Sequence, residues 1–324
     1  MVARRFQLAA EHGGRVAGAD DHNTHAAKFW HSGLSFGPEP FYMSFKKKAA
    51  LALIRTKLQL LNLLSKRRAA AAAFHLFTTP QYRNRKDLPE IYRAAESLRF
   101  RFQEFDIQGY RWNDGAPRRL LILHGFESGI VNFEQYIQPF IDRGFCVLGF
   151  DAPAHGRSSG TQMNVRIYMQ FIEEIRDRFG PIERFMGHSL GGLSLCLALE
   201  EQGHTEGARA VLIAAATETR TAIDMYFRFL KLPATLRPAF DAFVESRGGH
   251  PVHWFSVARA IRNLHLPVLW VHDEDDDMTP LSDVDPVRRS GLPHVTFYIT
   301  KGLGHRRIYR DPGVIRKVVD FLAS

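Results

Sequence analysis

The sequence predicts an α/β fold in which helices cover both faces of a mainly parallel sheet. Two observations support this prediction: short continuous apolar runs recur along the chain, and segments of helical length separate them. Strands that alternate with helices are typical of parallel sheets. The apolar runs are Leu120–Leu123, Phe145–Phe150, Arg184–Met186, Ala210–Ala215, Val268–Val271 and Val295–Ile299. The intervening helical segments are 130–143, 162–179, 189–202, 218–262, 280–290 and 312–323.

The composition is that of a globular protein. The 324 residues are 45% hydrophobic and 24% charged, which excludes a disordered chain, and no apolar run approaches the length of a membrane span. Cys146 and Cys196 both lie in apolar runs, so we expect neither a disulfide framework nor a metal site. No apolar run follows Arg4 and Arg5, so we expect no secretory signal and a cytoplasmic location.

The positive charge is confined to the first third of the chain. Residues 1–119 carry 21 Lys and Arg against 10 Asp and Glu, whereas residues 120–324 carry 22 against 24. No zinc-finger spacing or RNP-like aromatic motif accompanies the basic excess, so we do not expect a nucleic acid partner.

Residues 1–98 are predicted to form a basic, partly helical extension, of which residues 1–40 are loose and Met43 is an alternative start. A helical pattern spans Phe45–Phe77. Its apolar stripe has lysines and arginines at both ends, within residues 46–68, and two interpretations remain open. The stripe contacts an anionic membrane surface, or it packs on its own domain or on a second subunit. The stripe consists of Leu51, Ile54, Leu58 and Leu61.

The second predicted unit is one α/β domain over residues 99–324. It begins with Arg99–Asp106, whose alternating apolar and polar residues predict a single half-buried strand. A turn at Asn113-Asp114-Gly115 leads to the first apolar run. About fifty residues separate the predicted strands Ala210–Ala215 and Val268–Val271.

The segment Gly187-His188-Ser189-Leu190-Gly191 is the strongest functional signal. It lies between an apolar run and a helical pattern, so the serine is predicted to occupy a tight strand-to-helix turn. Side chains two residues before and after it would crowd that turn, which explains the glycines. A serine hydroxyl needs a base, and the base needs an orienting acid. The backbone N–H of Leu190 is expected to form one half of an oxyanion hole.

At this point the chain resembles the α/β-hydrolase fold family, over about residues 100–324. The segment from His272 to Pro280 is similar to the family's acid loop, His-Gly-x-x-Asp-x-x-Val-Pro, with Asp273 in place of the glycine. Counting from His272 implies Asp276 as the catalytic acid. Asp275 and Asp277 remain rival candidates.

The same resemblance implies the remaining site residues. His305, which follows the last predicted strand, corresponds to the family's general base. His124-Gly125-Phe126 resembles the family's His-Gly-x motif, which implies the N–H of Phe126 as the second oxyanion donor and a structural role for His124. The segment from Asp151 to Ser158 resembles Asp-x-x-Gly-His-Gly-x-Ser and is interpreted as scaffold, with Ala154 in place of the first glycine.

Together these residues predict a serine hydrolase that cleaves a carboxylic ester without a metal or organic cofactor. The resemblance also implies a small helical cap inserted at about residues 218–262. This segment is rich in aromatic and aliphatic side chains, which either line a pocket for an apolar acyl substrate or simply pack the cap onto the sheet. Thioesterase, lipase, peptidase and acyltransferase activities use the same residues and remain open. The alternative outside the enzymes is a module that binds a membrane surface or another protein. The cap side chains are Tyr226, Phe227, Phe229, Leu230, Phe240, Phe243, Trp254 and Phe255.

Overall fold

The structure, a computed structural model, describes residues 45–324. The segment expected to be loose, 1–40, and the alternative start at Met43 lie outside these residues. The predicted α/β fold is confirmed: eight strands form one sheet in the order β1-β2-β4-β3-β5-β6-β7-β8. The pairs β1–β2 and β2–β4 are antiparallel and all others are parallel. The strands are β1 Glu96–Phe102, β2 Phe105–Trp112, β3 Arg118–Leu123, β4 Phe145–Phe150, β5 Arg184–His188, β6 Arg209–Ile213, β7 Val268–Asp273 and β8 Val295–Thr300.

Helices connect the parallel strands and cover both faces of the sheet. Alternate residues of β3 bury on opposite faces: Leu121 and Leu123 belong to one apolar cluster, and Leu120 and Ile122 belong to the other. The helices are α1 Phe45–Leu64, α2 Lys66–Phe77, α3 Glu134–Ile141, α4 Val165–Phe179, α5 Leu190–Gln202, α6 Thr219–Leu230, α7 Arg237–Gly248, α8 Val257–Ala260, α9 Leu281–Ser290, α10 Gly304–Arg307 and α11 Pro312–Ala323. Within residues 45–324, none of these helices is long and apolar enough to cross a bilayer.

The prediction of one strand over Arg99–Asp106 is wrong. The chain reverses at Gln103 and Glu104, so that β1 and β2 form an antiparallel hairpin in which Phe102 faces Phe105. Gln103 has φ 50, in the left-handed region that usually selects glycine or asparagine. Because the turn contains neither, the alternating pattern continued through it without a visible break.

The helix predicted over Phe45–Phe77 is two helices. Ser65 ends α1 and caps α2, its hydroxyl accepting a hydrogen bond from the Arg68 N–H at 3.3 Å. The predicted apolar stripe faces the domain: Leu58 is buried in the core, and the other three side chains pack against it. The stripe considered for membrane contact therefore belongs to the interior.

The N-terminal helices lie on the cap, which comprises α6, α7 and α8 with short 3₁₀ turns between them. The Tyr226 hydroxyl donates to the Ala73 carbonyl at 2.8 Å, and Arg55 donates to the Phe229 carbonyl at 2.6 Å. The predicted domain boundary between residues 98 and 99 falls inside β1.

Candidate active site

Ser189 lies on a strained turn between β5 and α5. Its backbone has φ 53 and ψ −120, a conformation that is costly for a residue with a side chain. A Cβ atom at Gly187 would lie 2.8 Å from the Gly191 carbonyl oxygen, and one at Gly191 would lie 2.6 Å from the His124 carbonyl oxygen. Both glycines are therefore required by close backbone approach. The turn leaves the serine side chain half-buried at the carboxyl edge of the sheet.

The structure brings Ser189, His305 and Asp276 together from three separate segments. His305 Nε2 is 3.0 Å from Ser189 Oγ, and His305 Nδ1 is 2.9 Å from Asp276 Oδ2. A carboxylate only accepts hydrogen bonds, so Nδ1 carries the proton and Nε2 is free to accept the serine hydroxyl proton. His305 and Asp276 are both buried. This is the geometry in which an imidazole can act as a general base toward the serine.

The two rival acids lie elsewhere in the acid loop. Asp275 and Asp277 are exposed, whereas Asp276 is 4% exposed. Asp275 Oδ2 accepts the Gly302 N–H at 3.0 Å, which ties the acid loop to the histidine loop. Asp276 is thus the member of the run that faces His305.

The surroundings of Asp276 keep it ionised. Burial opposes its charge, but hydrogen bonds from His305 and from Thr279 outweigh burial and lower the pKa of the carboxyl below its ordinary value. The Met278 and Thr279 N–H groups donate to Oδ1 at 3.0 and 2.8 Å, and the Thr279 hydroxyl donates to Oδ2 at 2.8 Å. Thr279 stands where the family motif has valine. This difference could have pointed to an additional hydrogen-bond donor for Asp276, but counting along the motif did not use it.

Asp273, which stands where the family has glycine, holds the two loops in register. Its side chain is fully buried and accepts hydrogen bonds from the Gly304 N–H at 2.9 Å, the Leu303 N–H at 3.1 Å and the Thr300 hydroxyl at 2.7 Å. Burial raises the pKa of Asp273, but these hydrogen bonds outweigh it and the net pKa is lowered. The carboxylate therefore fixes the backbone directly before His305.

His188 is a second histidine beside the site. Its Nε2 is 3.1 Å from the His305 carbonyl oxygen, which only accepts, so Nε2–H is the donor. Burial, reinforced by the neighbouring His305, lowers the pKa of His188 to about 3. His188 is thus a neutral side chain that holds the His305 backbone.

The two expected oxyanion donors flank the serine. Leu190 is the first residue of α5, so its N–H has no acceptor within the helix. The loop that contains Phe126 lies directly against the serine, because a Cβ atom at Gly125 would be 2.9 Å from Ser189 Cβ. The half-buried Phe126 ring packs edge-on against His155, with the ring centroids 5.3 Å apart.

His124 has both ring nitrogens occupied by backbone groups. Nδ1–H donates to the Gly125 carbonyl at 2.8 Å, and Nε2 accepts the Ala152 N–H at 2.9 Å. Burial lowers the pKa of His124, so the ring is neutral. A histidine held in this way shapes the turn and has no nitrogen left to act as a base. Ala154, in place of a family glycine, has φ 64, which explains why glycine is favoured there.

An open cleft of about 500 Å³ lies between α6 and the acid loop. Five of the eight apolar cap side chains are buried, so they pack the cap onto the domain, as the plainer interpretation held. Phe229 lines the cleft and is only partly buried. Among residues 45–324, no group of three or more His, Cys, Asp or Glu side chains has metal-binding geometry. The cleft is lined by Thr221, Met225, Arg228, Phe229, Asp277 and Pro280.

Comparisons with known proteins agree with this architecture. The family profile described as serine aminopeptidase, S33, matches residues 115–260, a range that contains the serine turn and most of the cap. The chain has the α/β-hydrolase fold. It is 25% identical over 235 residues to the uncharacterised protein YqkD of Bacillus subtilis, a match covering 66% of this chain and 74% of that protein.

Two solved structures share the fold of this chain. An esterase from Pyrococcus furiosus superposes with a TM-score of 0.55 at 19% identity, covering 76% of this chain and 97% of the esterase. A monoacylglycerol lipase from Paleococcus ferrophilus superposes with a TM-score of 0.51 at 20% identity, covering 70% of this chain and 98% of the lipase. At these identities the likeness concerns the fold.

Proposed function

We propose that the protein is a serine hydrolase that cleaves a carboxylic ester through an acyl-enzyme. One observation carries this proposal: a single imidazole lies 3.0 Å from a serine hydroxyl and 2.9 Å from a buried carboxylate, with the proton on the carboxylate side. Binding alone does not require three such groups from distant segments to converge on a strained turn.

The reaction follows from the direction of each hydrogen bond. Ser189 Oγ attacks the ester carbonyl while His305 Nε2 takes its proton, and Asp276 stabilises the resulting imidazolium. The N–H groups of Leu190 and Phe126 stabilise the oxyanion, each contributing about 3 kcal/mol. His305 then returns the proton to the leaving alcohol, and water releases the acid by the same steps in reverse. Because the pKa of Asp276 is lowered, it stays ionised throughout.

The class of substrate is inferred from the cleft and from the relatives. The cleft beside the acid loop presents Met225 and Phe229 together with a single arginine, which suits an apolar acyl chain on a polar group. An esterase and a monoacylglycerol lipase are among the structural neighbours, in agreement with an ester substrate. Thioester, lipid and acyl-transfer reactions use the same groups, and the aminopeptidase profile adds an amide substrate as an alternative.

Fluorophosphonate labelling with peptide mapping tests the nucleophile, and hydrolysis of short- and long-chain esters tests the reaction. We expect the label on Ser189, and Ser189→Ala to lose labelling together with about 10⁶-fold in kcat. Ser194→Ala is the matched control, because its buried hydroxyl on the same region of α5 has no hydrogen-bond partner. Wild-type turnover by Ser189→Ala would show the assignment to be wrong. Removal of N-terminal residues from peptides, without hydrolysis of esters, would show that the substrate is an amide and not an ester.

A further inference from the structure

The outer side of α1 exposes leucines that have no place in the core. Among residues 45–324, five large apolar side chains are exposed, and four of them lie on this helix. They are Leu53, Leu60, Leu63 and Leu64, which are 70%, 56%, 81% and 81% exposed. Soluble proteins rarely concentrate exposed leucines in this way unless the surface binds something.

These leucines form a separate face of α1, about a third of a turn around the helix from the stripe that packs on the domain. Leu53, Leu60 and Leu64 are separated by seven and four residues, so they align along one side of the helix, with the exposed Lys57 between them. The side toward the domain is already occupied through Leu58 and its neighbours. The outer face of α1, defined as Leu53, Lys57, Leu60, Leu63 and Leu64, is therefore a second apolar surface on the same helix.

The charged residues of the chain segment that contains this face are all positive. Residues 41–86 contain eleven Lys and Arg and neither Asp nor Glu. Lys48 near the start of α1, and Lys66, Arg67 and Arg68 directly after its end, are all exposed. Leucines along one face of a helix with cations at both of its ends match a bilayer interface, where the leucines enter the acyl region and the cations meet anionic headgroups.

We propose that the outer face of α1 binds the surface of an anionic membrane. A second copy of the chain is disfavoured as the occupant, because pairing this face with itself would bring two basic surfaces together. Residues 1–40 are disfavoured too, since they carry four Lys and Arg against four Asp and Glu and offer no complementary charge. An anionic bilayer satisfies both the apolar face and its flanking cations.

The position of α1 gives this surface a consequence for the site. Arg55 on α1 donates to the Phe229 carbonyl, and Phe229 lines the cleft between α6 and the acid loop. A bilayer bound to the outer face of α1 would thus act on a helix that is hydrogen-bonded to α6, the helix that carries one wall of the cleft. The membrane proposal itself does not depend on the hydrolase reaction, so binding can be measured without substrate and repeated with Ser189→Ala.

Vesicle flotation of the full chain tests the proposal. We expect binding to vesicles of phosphatidylcholine mixed with phosphatidylglycerol, weak binding to phosphatidylcholine alone, and loss of binding as salt is raised. The double variant Leu60→Glu/Leu64→Glu should bind anionic vesicles at least about tenfold more weakly. Replacing Lys57, Lys66 and Arg67 by glutamine should cost about fivefold for each charge while leaving the leucines in place.

Leu88→Glu is the matched control, because Leu88 is the remaining exposed large apolar residue and lies outside α1. It should bind like the wild type, and circular dichroism should show all variants folded. Absence of wild-type binding to anionic vesicles would overturn the proposal, as would equal binding by the double variant. A dimer that the leucine substitutions dissociate, with no vesicle binding, would assign the face to a second copy instead.

Discussion

Two clusters in this protein contain the same three residue types, serine, histidine and aspartate. The active-site cluster is Ser189, His305 and Asp276, and the brace cluster is Ser158, His124 and Asp151. In the active-site cluster the imidazole bridges two side chains. In the brace cluster the partners are backbone groups: Asp151 accepts the Ile130 and Arg157 N–H groups at 3.0 and 2.9 Å, and the Ser158 hydroxyl donates to the Asp151 carbonyl.

The difference shows that residue types alone do not define a site. Ser158 is 1% exposed, and its hydroxyl donates to the Asp151 carbonyl and accepts the Gln108 N–H, whereas Ser189 is half-buried at the edge of the sheet. Hydrogen bonds to backbone hold a loop in one shape, and a side chain whose partner is another side chain can exchange its proton during a reaction. The active-site cluster differs in two ways: its serine is partly exposed to solvent, and its histidine has a ring nitrogen, Nε2 of His305, that can accept the serine hydroxyl proton.

Replacing the carboxylate of each cluster should separate their roles. Asp276→Asn is expected to lower kcat by about 10⁴, because the amide no longer fixes the histidine tautomer or stabilises the imidazolium. Asp151→Asn should leave kcat of the folded protein near wild type and lower the free energy of unfolding by about 2 kcal/mol, since two backbone donors lose a charged acceptor. Ester hydrolysis and denaturant unfolding measure the two effects.

The neighbouring acids serve as controls for this pair. Asp275→Asn and Asp277→Asn should retain kcat within about tenfold, because neither side chain faces His305. A 10⁴-fold loss in either of them, with Asp276→Asn active, would mean that the acid loop rearranges around a different carboxylate.

The Gly-x-Ser-x-Gly spacing pointed to Ser189, and the family resemblance implied His305 and Asp276, with Asp275 and Asp277 left as rivals. The structure brings Ser189, His305 and Asp276 together because each follows a strand at the same edge of the sheet.

The supporting contacts of Thr279 and Asp273 depend on side-chain directions within two loops, which motif spacing does not encode. Both residues stand where the chain departs from the family motif. The sequence showed the departure at Asp273 but not its role, and the departure at Thr279 was passed over.

Prediction was weakest where tertiary packing overrode the local pattern. The hairpin at Gln103 was missed because its turn lacks the usual glycine or asparagine. The stripe on α1 was correctly located, but periodicity could not say whether it faced the domain or a membrane. The outer leucines of the same helix became visible only once the structure showed which side was packed.

The buried histidines around both clusters should make the protein sensitive to acid. Burial, with His124 adding to it, lowers the pKa of His155 to about 3, and His188 beside the active site is lowered to about 3 as well. Above the ordinary histidine pKa near 6.5, these two histidines are neutral in both the folded and the unfolded protein, so they do not change the free energy of unfolding. As the pH falls below it, the unfolded chain binds protons that the folded protein refuses, so stability decreases toward pH 3.

Each of these two histidines should reduce the free energy of unfolding by about 1.4 kcal/mol between pH 7.5 and 5.5, giving about 3 kcal/mol for the pair. Denaturant unfolding at the two pH values measures this change. His155→Gln should reduce the difference by about 1.4 kcal/mol, whatever it does to stability at pH 7.5. A free energy of unfolding that is the same at both pH values would contradict the burial of neutral imidazoles.

The smallest expected effect concerns Thr279, whose hydroxyl donates to the same Asp276 oxygen as His305. Thr279→Val keeps the shape of the side chain and removes that donor, so the carboxylate should attract the His305 proton more strongly. We expect the acid limb of the kcat/KM profile to move to higher pH, with kcat changed by less than about tenfold. This shift would identify Thr279 as a positioning residue.

Thr300→Val is the matched control, since the Thr300 hydroxyl donates to the other buried carboxylate of the loop, Asp273, at 2.7 Å. Both variants lose one hydrogen bond to a buried carboxylate, so both should be destabilised by about 1–3 kcal/mol. Only Thr279→Val should move the pH profile, because Asp276 and not Asp273 is hydrogen-bonded to the His305 ring. Equal shifts of the pH profile in the two variants, or no shift in either, would show that Thr279 only stabilises the loop. In that case the Thr279 hydroxyl would not influence how strongly Asp276 attracts the His305 proton.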